Sequence, residues 1–342
     1  MWRLDHWLVH LFFAFFVYLF ILIFDRQGSP SDEFFDFGYT VLTGLQLVAA
    51  QFSGVTITHQ TGFNINGGYT EQDLASAINA TQSNDVTIVA LGEDHYAEGF
   101  GDLEGTREKD VKTNCKTYPI DLALPAGQLT FLKALIATGR PVVVILIGGR
   151  PRLLHGAVDG AGAVINALVP GLEGGQAIAE VLIGQVNPSG KQPVTYPKNH
   201  NQVPMQYYFT PTSAADFQWP FGHGLSYTTF SYSELSLSSE TITAPAGTIT
   251  ASVRVTNTGS VAGKESVLWF IKDDVREVTP EEKLLFHFEK VLLAAGESVV
   301  VTATVEIETL AFYGIDETQK VIQAGTHQIF VGPLAASFRL IV

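Results

Sequence analysis

The 342-residue chain contains one cysteine, Cys115, and two methionines. A single thiol excludes an intramolecular disulfide and a cysteine-built metal site, and it leaves the redox compartment open. Charged residues are scarce, 16% against 46% hydrophobic. That balance excludes extensive disorder and allows large cores. Cations are the scarcer sign, with 20 Lys and Arg against 34 Asp and Glu and a formal net charge of −14. Binding to a nucleic-acid backbone, which needs clustered cations, is therefore not expected. The chain has no Gly-x-Ser-x-Gly, so a hydrolase nucleophile elbow is not supported. It also lacks an internal repeat of solenoid period and any low-complexity tract.

What is present begins with an apolar run. From Trp7 to Phe24, "WLVHLFFAFFVYLFILIF", there is no Asp, Glu, Lys or Arg in 18 residues. At a rise of about 1.5 Å per residue this is long enough to cross a bilayer core. "FDRQGSPSD" behind it offers no good cleavage site. The run is expected to be a transmembrane helix with the membrane as its partner. The chain is then membrane-anchored or on the secretory route, and extracellular if the run acts as a signal. An uncleaved signal and a gene-prediction artefact are the other readings.

Residues 28–36 are polar and turn-rich and read as a boundary. Beyond them, helical and strand-like segments alternate. "YTVLTGLQLVAAQF", "TEQDLASAINATQSN", "PAGQLTFLKALIATG" and "GGQAIAEVLIG" have helical spacing or helix ends. "GVTITHQTG", "DVTIVALG", "RPVVVILIGGRP" and "AGAVINALVPG" read as strands. Near-continuous Val and Ile strands between helices predict a parallel sheet covered on both faces, to about residue 195. Residues 196–235 are rich in Pro, Tyr and Phe and show no clear period. Afterwards "TITASVRVTNTG", "ESVLWFIKD", "LLFHFEKVLL", "ESVVVTATVEI", "HQIFVG" and "SFRLIV" alternate between turns, which predicts an antiparallel β-sandwich. By that alternation Trp269, Phe286 and Phe288 are core or domain-contact residues.

The densest chemistry lies in "GEDHYAEGFGD", residues 92–102, directly after a predicted buried strand. In open parallel sheets ligands bind beyond the carboxyl ends of strands. Glu93 and Glu98 are both acids able to protonate a leaving group if burial or a like charge raises their pKa. A solvated acidic loop is the plainer reading of the same spacing. Asp94, His95 and Glu98 lack a second histidine at ligand spacing, so no metal is expected. Gly99-Phe100-Gly101 and "GAGAV" at 160–164 both fail as dinucleotide fingerprints. Arg150 and Pro151 are expected to anchor a strand end, and Glu173 to bind backbone N–H groups at a helix start. His223 is expected to fix an interdomain turn, with Trp219 and Phe221 packing beside it. Asn79-Ala80-Thr81 is a glycosylation sequon, meaningful only on the secretory route.

A set of ordered stretches carries a resemblance: "VALGEDHYAEGFGD", "LALPAGQ", "PVVVILIGGRP", "AVINALVPGLEGGQAIAEVLIGQVNPSGKQPVTYP", "WPFGHGLSYTTFSYS", "VTNTGSVAGKE", "FEKVLLAAGES" and "GTHQIFVG". From about Gln27 onward the chain resembles the C-terminal part of glycoside hydrolase family 3, the β-glucosidase family. The resemblance implies an α/β sandwich over 27–232 and a fibronectin-III-like domain over 233–342, behind the apolar segment 1–26. It carries the general acid/base onto Glu98, in Tyr96-Ala97-Glu98-Gly99, and leaves Glu93 a structural role. No cofactor is implied.

Two departures from the family pattern stand out. The family's nucleophilic aspartate and most of its sugar-binding residues lie in an N-terminal barrel that this chain does not match, so no nucleophile is assigned. The match begins at Arg26-Gln27-Gly28, without the tryptophan the family often carries there, as in a truncated gene, a mispredicted first exon or a fragment. Residues 104–119, "EGTREKDVKTNCKTYP", intrude where the family is shorter and add Arg107, Lys109, Lys112 and Lys116. The resemblance implies hydrolysis of terminal β-glucosyl residues, in a barrel-less form expected to be inactive alone. The rival reading is a non-catalytic, membrane-held remnant or a carbohydrate- or protein-docking module.

Overall fold

The apolar run is where sequence pattern and structure part. The computed structural model describes residues 16–20, 38–92, 122–202, 206–208, 216–316 and 318–342. Within the run, Phe16–Phe20 forms strand β1, not a helix. It pairs in parallel with β2 (Thr56–Gln60) on one side and β3 (Val86–Gly92) on the other. The transmembrane helix expected over residues 7–24 is corrected accordingly. An interior strand of a sheet covered on both faces is as uniformly apolar as a membrane span, so composition does not separate the two. The rest of the run lies outside the described residues. Among the described residues no helix is long and apolar enough to cross a membrane.

The chain divides into two units, Met1–Val186 with Pro197–Val203, and Asn187–Tyr196 with Pro204–Val342. In the first, β1 is followed by α1 (Val41–Ala49), β2, α2 (Glu71–Ser83), β3, α3 (Ala126–Ile136), β4 (Val142–Ile147), β5 (Ala163–Leu168) and α4 (Gly174–Ile183). The five strands form one parallel sheet in the order β2-β1-β3-β4-β5. Alternation splits the inner strands between two faces. Ile88, Ala90, Ile145 and Ile147 meet Val41, Leu45 and Val48 of α1 and Ile178 and Ala179 of α4. Val89, Leu91, Val144 and Leu146 point to the opposite face and are equally buried. Helices α1 and α4 lie unusually close. A Cβ on Gly44 would overlap the Gly175 carbonyl, and one on Gly175 would overlap the carbonyls of Tyr39 and Thr40.

Local signals account for the helix ends. Thr70 and Asp73 form a reciprocal capping box on α2, a device worth about 1 kcal/mol. The box uses the aspartate at the third helical position, not the neighbouring Gln72. Helix α4 stops at Gly184, whose φ of 81° is in the left-handed region that glycine enters without a Cβ clash.

The second unit contains β6 (Phe230–Leu237), β7 (Thr241–Thr243), β8 (Thr248–Asn257), β9 (Gly263–Asp273), β10 (Leu284–Leu293), β11 (Ser298–Glu306), β12 (Phe312–Tyr313), β13 (Lys320–Val321), β14 (Gly325–Val331) and β15 (Leu334–Ile341). Sheets β10-β9-β14-β15-β7 and β11-β8-β6 enclose a core built on Trp269, Val253, Val255, Ile329 and Phe338. Trp269 and Phe286 contribute to that core as expected, but Phe288 does not and is 67% exposed. A register shift between Leu285 and His287 inverts the inward parity of β10. Leu284 before the shift and Phe286 within it face in, as do Val291 and Leu293 after it. Strand β6 escapes the period-2 search for a related reason, since its pairing with β8 is broken between Ser233 and Ser236 and Glu234 sits at φ 56°.

Residues 187–196 lie along the second unit as a strap. Asn187 donates to the Ala262 carbonyl and accepts from Ser226 and from the Tyr227 amide. Lys191 pairs with the buried Glu265 at 3.3 Å, and Glu265 also accepts from the Tyr232 hydroxyl at 2.9 Å. Burial, and then the Glu265 carboxylate, hold the Tyr232 phenol well above its ordinary value. The protonated phenol is therefore favoured in the folded state. Its stabilisation is fully present below the unfolded phenol pKa of about 10 and is lost as the pH rises above it, because only the unfolded chain then gains by ionising. Calorimetry is expected to show the melting temperature falling more steeply above about pH 10 in the wild type than in Tyr232→Phe. Equal slopes would contradict this assignment.

Candidate active site

The strand order defines where a ligand site belongs. From β1 the chain crosses to β2 on one side, then returns over β1 to β3 on the other. The topological switch point falls between β1 and β3, and ligands of open parallel sheets bind beyond the carboxyl ends of the strands at such a point. Strand β3 ends at Gly92, the first residue of the acidic stretch. Glu98 lies outside the described residues, as do Glu93, Asp94, His95, Asp102, Cys115 and the segment 104–119.

Both ends of the segment 93–121 are pinned by described residues. At its start, the fully buried Gln128 of α3 grips the strand end. Its Oε1 accepts from the Gly92 amide at 3.1 Å, and its Nε2 donates to the Gly92 carbonyl at 2.9 Å and to the Ile65 carbonyl at 2.6 Å. One amide side chain thus satisfies both backbone groups of Gly92 and ties in the turn before α2. The helix reaches that turn because neither side carries a Cβ there. A Cβ on Gly127 would overlap the Gly67 carbonyl, and Gly67 sits at φ 80°. At the other end Leu153 donates to the Leu122 carbonyl at 2.7 Å and accepts from the Leu124 amide at 3.3 Å.

The other residues singled out in the sequence have mostly structural positions. Arg150 and Pro151 follow β4 after Gly148 and Gly149, and Arg152 beside them is only 5% exposed. Glu173 is exposed at the start of α4, and its side chain makes no capping hydrogen bond, so the expected contact with helix amides is corrected. The backbone amides there turn instead to the preceding loop, Gly174 donating to the Gly171 carbonyl. Asn79 is exposed in the middle of α2, while the sequon's Thr81 is fully buried and accepts from Thr87. In the second unit, His223 belongs to a turn whose carbonyl accepts from Gln192, and burial lowers its imidazole pKa. Trp219 packs edge-on against Tyr196 and Phe221 stacks on Tyr207. Among the described residues no group of three or more His, Cys, Asp or Glu could hold a metal ion.

Sequence reasoning passed over Gln128 as a functional residue. Its signal is a lone amide among the buried positions of an apolar helix, beside Leu129, Phe131, Leu132 and Leu135. A buried polar side chain in such a place must be hydrogen-bonded, and its partners locate the strand end.

Residues 25–227 match the family model of the glycosyl hydrolase family 3 C-terminal domain, and residues 265–335 that of the fibronectin type III-like domain. The chain is 35% identical over 318 residues to the lysosomal beta glucosidase of Dictyostelium discoideum, a match covering 90% of this chain and 37% of that protein. It is 32% identical over 304 residues to a beta-xylosidase of Formosa agariphila, covering 86% of this chain and 39% of the relative. The solved β-glucosidase of Erythrobacter marinus superposes with a TM-score of 0.78 at 29% identity, over 96% of this chain and 46% of that one. The chain therefore spans less than half the length of these relatives. An α/β unit followed by a β-sandwich is thus part of a known pattern, and the chain belongs to glycoside hydrolase family 3.

Proposed function

We propose that the chain is the acid-bearing part of a retaining β-glycosidase that releases terminal β-glucosyl residues. The observation that carries this reading is the acidic stretch leaving β3 beside the switch point, rooted by Gln128, in a chain whose relatives are β-glucosidases and β-xylosidases. In this reading Glu98 is protonated at the start and gives its proton to the glycosidic oxygen as the bond to the anomeric carbon breaks. A second carboxylate, about 5 to 5.5 Å away across the sugar, attacks that carbon from the opposite face. Glu98, now ionised, takes a proton from the water that hydrolyses the glycosyl-enzyme. The resemblance places the second carboxylate in a domain this chain does not match, so the chain alone lacks half of the pair. The apolar run supplies a sheet strand in this account, and secretion or membrane attachment is not required by the chemistry.

Two outcomes follow. The chain alone is expected to leave aryl β-glucosides unhydrolysed. Joined to the N-terminal domain of a family relative it is expected to turn them over through Glu98. In that chimera Glu98→Ala should slow hydrolysis of unactivated glucosides by roughly 10²–10⁴-fold. It should spare the first step for a dinitrophenyl glucoside, whose leaving group needs no proton, and azide should restore the second step. Azide rescue of Glu93→Ala in place of Glu98→Ala would reverse the assignment, and turnover by the chain alone, abolished in Glu98→Gln, would overturn the division of labour.

Gln128 supplies the second test. Gln128→Leu leaves both polar groups of Gly92 and the Ile65 carbonyl without their partner, at about 1–3 kcal/mol of stability. A displaced loop root should lower kcat/KM of the chimera on the order of 10²-fold, because misplacement by about 1 Å is enough for such a loss. Unchanged kcat/KM in a folded Gln128→Leu chimera would show that the clamp does not position the acid.

A further inference from the structure

At the carboxyl edge of the parallel sheet, Gly92 of β3 stands opposite Ile147 of β4, and Ile147 stands opposite Leu168 of β5. The end of β5 is therefore in one row with the residue from which the acidic stretch departs, two strand spacings or about 10 Å away. The last step of that row is irregular. The register slips between Leu146 and Ile147, so that β5 carries Ala167 as an extra residue, and Leu168 is turned to φ 51°. A bulky side chain rarely occupies this left-handed region, because its Cβ crowds the backbone there. Glycine is the ordinary choice, and Gly171 is used that way three positions on, at φ 70°. Strained backbone of this kind persists only where its surroundings over-determine it, and it gathers where ligands are held. Bulges likewise gather beside sites, where they re-aim side chains.

The turn that follows is held at both ends. Gly148 donates to the Leu168 carbonyl at 3.0 Å, Tyr39 to the Leu172 carbonyl at 2.9 Å and Gly174 to the Gly171 carbonyl at 3.1 Å. Two side chains on this fixed backbone are nevertheless open, Val169 and Leu172, each 48% exposed. They present C–H surface with no donor, acceptor or charge. Such a surface gains free energy by covering an apolar group and cannot satisfy hydroxyls taken out of water. Which part of a substrate would meet it follows from the reading of the chain as the acid-bearing part of a retaining glycosidase, on which this inference rests. The acid protonates the glycosidic oxygen, so the unit that carries it lies beside the leaving group. The second carboxylate works on the opposite face of the sugar.

We propose that Val169 and Leu172 form an apolar wall for the leaving group, so that the chain selects β-glucosides of apolar alcohols over β-linked glucose oligosaccharides. Octyl β-glucoside and cellobiose test this, because both yield glucose and they differ in the leaving group alone. In the full chain with labelled Val and Leu methyl groups, octyl β-glucoside below its micelle concentration is expected to shift the Val169 and Leu172 signals in nuclear magnetic resonance. Those signals are identified by their loss in Val169→Ser and Leu172→Ser, and cellobiose is expected to leave them in place. In the chimera with a relative's N-terminal domain, each serine variant should lower kcat/KM for octyl β-glucoside about fivefold and leave cellobiose within about twofold. Equal losses on both substrates would show that the turn packs against the N-terminal domain. Equal losses, unchanged values on both substrates, or methyl shifts with cellobiose alone would each overturn the proposal. Glu98→Gln separates the wall from the reading beneath it. Retained turnover in that variant would remove the acid assignment and the wall with it. Turnover that needs Glu98 but is indifferent to both serine variants would overturn the wall alone.

Discussion

The pairing of Phe16–Phe20 between β2 and β3 is the constraint on which the first unit depends. Without β1, the edge of β3 loses its neighbour and β2 has no sheet to join, because among the described residues β2 pairs with β1 alone. The switch point between β1 and β3 would vanish with it, and so would the structural reason for a site beyond Gly92. An apolar segment close to the start of the chain thus has a direct bearing on where chemistry can occur.

That segment also shows where sequence legibility ended. The four helices and β2 to β5 were readable because each segment carries its own signal. Helical spacing marks α1, Gly139 and Gly184 stop α3 and α4, and unbroken Val and Ile mark β3 and β4. For β1, the same unbroken apolarity pointed to a membrane, since a central strand and a membrane span both exclude charge. What decides between them is pairing with β2 and β3, which are roughly 40 and 70 positions away, and pairing leaves no local trace. In the β-sandwich the failures are parity failures. The bulges in β10 and β6 shift the period-2 pattern, so Phe288 faces out and β6 goes unrecognised. Two-residue strands such as β12 are too short to show a period.

The candidate site was legible in part, for a related reason. Glu98 is assigned by resemblance alone, because spacing does not separate a working carboxylate from a solvated one, and it lies outside the described residues. The frame around it was not reached at all. Gln128, Gly127 and Gly67 meet only in three dimensions, and their common task is to fix the residue from which the acidic stretch departs. A glutamine that satisfies both backbone groups of Gly92 fixes the strand end itself.

Amide hydrogen exchange of residues 17–20 in aqueous buffer without detergent tests the central claim most directly. If these residues are the inner strand of the sheet, their amides exchange as slowly as those of Ile88 to Leu91 and are released together with them when the first unit unfolds. Rapid exchange in buffer, with protection appearing only in detergent micelles, would contradict the account and restore the membrane helix.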